Sequence, residues 1–176
     1  LLENAFSLLF GSYYFQDEKI YIKSKKLLIK ELNEQVLNDG GHYELSPMYH
    51  RIILFRLLDC INLIKQNDFF KKDGLIMFLE VKAALMISWL QNITYSSGKT
   101  PMVNDAACNI APSSIQLFYY AKKLGIIDKK IPLFESGYRK IVLDNYELFI
   151  DVGNIGPNYQ PAHAHSDTFN FELIKE

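Results

Sequence analysis

Apolar positions recur at helical spacing over the first two-thirds of the chain and alternate with polar ones over the last quarter, so helices followed by strands are expected. Residues 1 to about 15 are apolar on most sides, which suits a buried helix. Asp17 can cap a second helix running to about Leu37, with Leu28, Leu32 and Val36 on one face. Asn38-Asp39-Gly40-Gly41 then stops it, because glycine is favoured where the backbone turns left-handed. Ser46 is a good N-cap, and Pro47 fits the first helical position, where its missing N–H costs nothing. The helix that follows carries Ile53, Leu57, Cys60, Ile61 and Ile64 at helical spacing. Asp73 is expected to cap a further helix from about Gly74 to Asn92, apolar nearly all round through Ile76, Phe78, Leu79, Leu85 and Trp89. Such a helix belongs between other helices. A polar loop over residues 95–112 leads to a short helix from Ser113 to Leu124, closed by Gly125.

The hydrophobic period then changes. Residues 138–143, a turn at Asp144-Asn145 and residues 146–150 predict a β-hairpin. After a Gly/Pro-rich loop over residues 153–161, Thr168-Phe169-Asn170-Phe171-Glu172-Leu173 alternates as a third strand. The expected fold class is α+β in two parts, helical over residues 1–130 and an antiparallel sheet over residues 131–176, with the junction near residues 129–136. Three strands are too few for a stable sheet unless chain continues past Glu176, so the sequence is expected to be a fragment truncated at both ends. Successive helix pairs are compatible with a toroid.

Composition narrows the class. Apolar residues make up 49% of the chain, enough for a sizeable core. Eleven Tyr and 12 Phe suit either sugar-stacking surfaces or helical cores. The net charge of -1, from 19 basic and 20 acidic residues, includes no basic block of the size a phosphate backbone requires, which argues against nucleic acid as a partner. Cys60 falls in an apolar helical pattern and Cys108 in a loop, so neither a disulfide framework nor a metal knuckle is signalled. No stretch runs apolar for about 18 residues, and no membrane span is expected. Leu1-Leu2-Glu3-Asn4-Ala5-Phe6 lacks a basic leader and reads as mid-helix.

All four histidines fall in two short segments beside turn residues, where binding groups usually sit. One is Pro161-Ala162-His163-Ala164-His165-Ser166-Asp167. In extended chain, residues two apart share a face, so His163, His165 and Asp167 can converge on a metal, form a His pair oriented by a carboxylate, or simply close a hydrogen-bonded turn. The other runs from Gly41 to His50. Here Tyr49 falls in the opening turn of the helix capped by Ser46, whose positive end is expected to lower the phenol pKa. Tyr49 is a candidate general acid/base or a packing residue; Glu44 and His50 flank it as candidate substrate-binding groups.

Together these segments carry a family resemblance. Asp39-Gly40-Gly41-His42-Tyr43-Glu44-Leu45-Ser46-Pro47-Met48-Tyr49-His50 resembles the toroid motif of heparinase II/III-type polysaccharide lyases. Asn104-Asp105-Ala106-Ala107 through Ile110-Ala111-Pro112-Ser113 resembles their interdomain segment, and residues 153–168 resemble the opening of their β domain. The resemblance implies the C-terminal part of an (α/α) toroid followed by the first strands of an antiparallel β-sandwich. It also implies β-elimination on uronic-acid-containing polysaccharides, in a cleft between the two parts, by a bacterial protein of the periplasm or cell envelope. On that basis Tyr49 acts as acid and base, and His163 assists as base or carboxylate neutraliser. His165 is a ligand of a structural divalent metal such as Zn2+, while the chemistry itself requires no cofactor.

One departure matters. The family's substrate-carboxylate-binding Asn, often followed by His, would lie just before Leu1, and Asn4 is not its equivalent. The isolated fragment is therefore expected to be inactive. A non-catalytic carbohydrate-binding or envelope-polysaccharide assembly protein of the same fold is the alternative. A metal-dependent hydrolase built on His163, His165 and Asp167 would need more ligands than this chain offers.

Overall fold

The computed structural model describes residues 1–70, 73–127, 129–154 and 169–175. Five helices, α1 (Leu2–Phe15), α2 (Glu18–Gln35), α3 (Pro47–Gln66), α4 (Leu75–Ile93) and α5 (Ser114–Lys123), precede three strands, β1 (Tyr138–Leu143), β2 (Tyr146–Asp151) and β3 (Phe171–Lys175). The strands form one antiparallel sheet in the order β1-β2-β3.

Local chemistry explains most helix ends. Gln16 takes a left-handed conformation after α1, and the Asp17 carboxylate accepts the Ile20 N–H at 3.0 Å to start α2. Ser46 caps α3 through the Tyr49 N–H, with Pro47 in the first turn. Ser113 and Gln116 form a reciprocal capping box at α5. The α4 start differs from expectation: Gly74, at φ 77°, occupies the cap, and Asp73 sits one residue outside it, accepting the Leu75 N–H. The other Asp73 oxygen takes the Tyr21 hydroxyl at 2.6 Å and the Lys25 ammonium at 2.9 Å, tying α2 to the start of α4.

α1 and α2 pack as a hairpin, and α3 and α4 cross the same core. Leu9, Leu28, Leu32, Leu54, Leu57, Leu58, Ile61 and Trp89 are fully buried there. Neither helix expected to be buried all round is so. On α1, Phe10, Tyr14 and Phe15 face outward, Tyr14 being 81% exposed, while α2 and α3 pack on its buried side. On α4, Met77 and Val81 are exposed. By length and composition alone α4 could also cross a membrane, contrary to expectation, but half of it is buried and it packs as a core helix against α3 and α5.

The sheet is fastened to the helices at three places. Asp39, in the α2–α3 connection, accepts from the Phe134 N–H, the Ser136 N–H and the Ser136 hydroxyl at 3.0, 2.9 and 2.7 Å. Tyr138, buried at the start of β1, donates to the Leu45 carbonyl just ahead of α3. The third is the loop after α4. There Glu147 accepts from Ser96 N and Oγ and pairs with Lys140 at 2.7 Å, while Glu172 accepts from the Tyr95 hydroxyl and the Met102 N–H. Burial alone would raise the Glu147 pKa, but bonds from Lys140 and Ser96 outweigh it and hold the carboxyl below its usual range.

Candidate active site

The turn between α2 and α3 is built to present Tyr49. Gly40, at φ 93°, lies so close to the next helix that a Cβ would sit 2.0 Å from the Leu85 carbonyl oxygen; a Cβ on Gly41 would sit 2.8 Å from the Trp89 indole nitrogen. Both positions require glycine, and their close approach clamps the turn onto α4. The Ser46 cap then fixes the first turn of α3, in which Met48 and His50 are buried and Tyr49 is half-buried.

The Tyr49 hydroxyl donates to the Asp105 carboxylate at 2.9 Å, across 56 positions of sequence. The hydrogen bond to Asp105 comes first in raising the Tyr49 pKa, followed by burial and by the charges of Asp105 and Glu44. This reverses the expectation from the helix terminus. The Asp105 hydrogen bond, burial and two carboxylates all disfavour the phenolate, opposing the positive helix end. Asp105 and its neighbour Asn104 both adopt left-handed backbone, at φ 58° and 48°. Asp and Asn tolerate this region better than other side-chain-bearing residues, and such outliers collect at functional sites. The Asn104 amide donates to the Tyr138 hydroxyl at 2.9 Å, and Arg51 of α3 donates to the Pro112 carbonyl. The loop carrying Asp105 is thus held from the sheet on one side and from α3 on the other. Sequence reading placed Asp105 in a family segment without assigning it a role; the adjacent Asn-Asp pair was the available signal.

His50 does not line the cleft. It is 0% exposed, its Nδ1 accepts the His42 N–H, its Nε2–H donates to the Met86 carbonyl at 3.0 Å, and its ring lies 4.4 Å from that of Trp89. Burial, reinforced by His42 and Arg51, pushes its pKa down to about 3 despite the Met86 carbonyl. One residue beyond Tyr49 on a helix is a rotation of about 100°, which turns the ring into the core. In this structure His50 packs in the core and braces the turn.

His42 lines the cleft from below, and a buried chain sets its orientation. Glu31 accepts from the Gln35 amide at 2.9 Å, which leaves the Gln35 oxygen to accept from His42 Nε2 at 3.3 Å. With the Gln35 NH2 turned to Glu31, its carbonyl oxygen faces His42 Nε2, an arrangement satisfied by the Nε2–H tautomer of His42.

The cleft has a volume of about 480 Å³ and opens between the start of α1, the end of α2 and the start of α3. Tyr43, Glu44 and Tyr49 line one wall; Glu31, Glu34 and Lys30 line another. Glu44 thus lines the cleft beside Tyr49. Carboxylates outnumber cations, and Lys30 is the basic lining side chain among the described residues. His163, His165 and Asp167 lie outside the described residues, as does the expected approach of His163 to Tyr49. Among the described residues no group of His, Cys, Asp or Glu side chains is arranged to hold a metal.

Residues 18–124 match the family model described as Heparinase II/III N-terminus, and residues 129–175 match that described as Heparinase II/III-like, C-terminal. Among solved structures, the chain is similar to heparan sulfate lyase HepC from Pedobacter heparinus, at 21% identity and TM-score 0.71, over 99% of this chain and 31% of that one. A heparinase III gene product is similar at 19% identity and TM-score 0.73, over 98% of this chain and 30% of that one. A further heparinase III shows 18% identity and TM-score 0.71, over 98% and 32%. The chain thus spans less than a third of the length of these proteins, and at such identities the likeness establishes the fold: helices of an α/α toroid leading into a β-sandwich. No curated protein matches the chain. Since the first of the two family models alone covers more than half of its residues and the second most of the remainder, this chain belongs to the heparinase II/III family.

Proposed function

We propose that the protein is a polysaccharide lyase that cleaves uronic-acid-containing glycans by β-elimination, with Tyr49 at the reacting centre. The observation that carries this reading is the Tyr49 phenol, set on the rigid first turn of α3, lining an open cleft and bonded to a carboxylate. On a proposed division into a toroid part over residues 1–130 and a β part from residue 131, the Asp105 loop, whose Asn104 bonds Tyr138 of β1, would lie near the junction, where an extended glycan could run. Elimination requires a group that removes the C5 proton, a group that protonates the departing O4, and neutralisation of the uronate carboxylate. Tyr49 is proposed for the first two, His163 to assist or to neutralise, and Glu44 to bind sugar hydroxyls. No cofactor enters this chemistry. His165 is proposed as a ligand of a structural divalent metal such as Zn2+ that would steady the β part. An acidic polysaccharide outside the cytoplasmic membrane, in the periplasm or envelope, is the partner that fits.

The acidic lining of the cleft favours a second reading, a protein of the same fold that binds carbohydrate without cleaving it, since Glu3, Glu31, Glu34 and Glu44 repel a uronate. The two are separated by incubating the intact protein with a panel of uronic-acid polymers and following the ultraviolet absorbance of the new C4–C5 double bond. Absorbance growing with at least one polymer supports the lyase; binding without it supports the second reading.

A further inference from the structure

A phenol that donates its proton to a carboxylate is poorly placed to serve as a base by itself. The Tyr49 O–H points at Asp105 at 2.9 Å, and that hydrogen bond, with burial and the charges of Asp105 and Glu44, raises the phenol pKa above its ordinary value. The phenolic oxygen, as in any tyrosine, is also an acceptor, and Tyr49 lines the cleft. Asp105 is not held there by chance contact. Asn104 anchors its loop to Tyr138, Arg51 anchors the far end through Pro112, and the left-handed pair of residues 104 and 105 turns the carboxylate toward α3.

We propose that Asp105 is the positioning residue and proton acceptor of Tyr49, so that the pair, rather than a free phenolate, removes the C5 proton of the substrate. The proposal rests on the lyase reading above. As the C5–H bond breaks, its proton goes to the Tyr49 oxygen while the phenolic proton passes to the Asp105 carboxylate. The C5–H electron pair forms the C4–C5 double bond, and the C4–O4 pair leaves with O4. O4 then takes the proton from the Tyr49 oxygen, and Asp105 returns its own to the phenol. The net result is transfer of one proton from C5 to O4, with both side chains restored and no external base consumed. One tyrosine can in this way act as base and then as acid at neutral pH.

The test uses the intact protein with the polymer it cleaves best, comparing wild type with Asp105→Asn, which keeps the shape of the side chain but accepts no proton. Wild type is expected to turn over at neutral pH with a rate that stays flat as pH rises. In the variant the phenol must be ionised by solvent first, so the rate at pH 7 should fall about 10²-fold or more and climb about tenfold per pH unit toward the ordinary tyrosine range near 10. A purely structural role for Asp105 would lower the rate equally at every pH. In parallel, 13C NMR of ring-labelled tyrosine, assigned with Tyr49→Phe, should show Tyr49 ionising above 10 in wild type and nearer 10 in the variant. A variant that keeps the wild-type rate and pH profile overturns the proposal while the lyase reading stands. Should Asp105→Asn fail to fold, the wild-type titration decides, and ionisation of Tyr49 at or below its ordinary value overturns the pairing. A wild-type protein inert on every polymer overturns the lyase reading and the relay with it.

Discussion

Exchanging Asp39 for Asn tests how the sheet is fastened to the helices. Asp39 is 0% exposed and serves four donors: the Gly41 N–H at 3.1 Å on one oxygen, and the Phe134 N–H, Ser136 N–H and Ser136 hydroxyl on the other. An Asn carbonyl would turn toward the three donors of residues 134–136, which places its amide against the Gly41 N–H. That buried donor is then unsatisfied, at about 1–3 kcal/mol. The three bonds kept fall from charge-assisted to neutral strength, losing about 1 kcal/mol each. Relief from burying a charge offsets part of this, leaving a net loss of about 2–4 kcal/mol. Trp89, the single tryptophan, donates to Ser136 at 3.1 Å, so its fluorescence reports on this joint directly. Urea unfolding of the intact protein followed by that fluorescence should give a lower midpoint and a shifted native emission for Asp39→Asn. A midpoint within about 0.5 kcal/mol of wild type would mean that Asp39 is not what holds residues 134–136.

Two further outcomes follow from the same turn and its brace. Gly40→Ala places a Cβ against the Leu85 carbonyl at a left-handed position, and a loss of about 3 kcal/mol or more is expected in urea titration; a loss under 1 kcal/mol would refute the close approach. His50 is buried neutral with its pKa lowered to about 3, against about 6.5 unfolded, so the unfolded chain binds the proton first as pH falls. Its contribution is fully present above about pH 6.5 and is lost progressively down to about pH 3, by at most about 5 kcal/mol. Stability of wild type should therefore drop more steeply between pH 6.5 and 4 than that of His50→Gln, and parallel curves would contradict the buried neutral histidine.

The parts of this fold that sequence made legible are those governed by neighbours. Asp17 and Ser46-Pro47 act within one helical turn, so their caps could be read directly. The change from helical to alternating period likewise marked the hairpin of β1 and β2 to within a residue. Properties set by distant partners could not be read. The pKa direction at Tyr49 was misjudged because Asp105 reaches it from 56 positions away, whereas the helix terminus is local. Proximity in sequence to Tyr49 suggested a substrate contact for His50, but the helical rotation turns it into the core. The outer faces of α1 and α4 carry large apolar residues (Phe10, Tyr14, Phe15, Met77 and Val81) among their polar ones, so hydrophobicity alone did not separate covered from uncovered positions. Asp39 was recognised as a turn residue, yet its partners lie 95 and 97 positions on.

The central claim is that Tyr49 carries the chemistry, and Tyr49→Phe in the intact protein tests it most directly. Phe keeps the ring and its packing and removes only the proton, so the urea midpoint should stay near wild type. Acid/base groups contribute about 10²–10⁴-fold in rate, and the variant should lose at least that much of the ultraviolet signal of unsaturated product on a polymer that wild type cleaves. A variant that folds like wild type and retains most of its rate would remove Tyr49 from the reaction and leave it a packing residue of the α3 first turn.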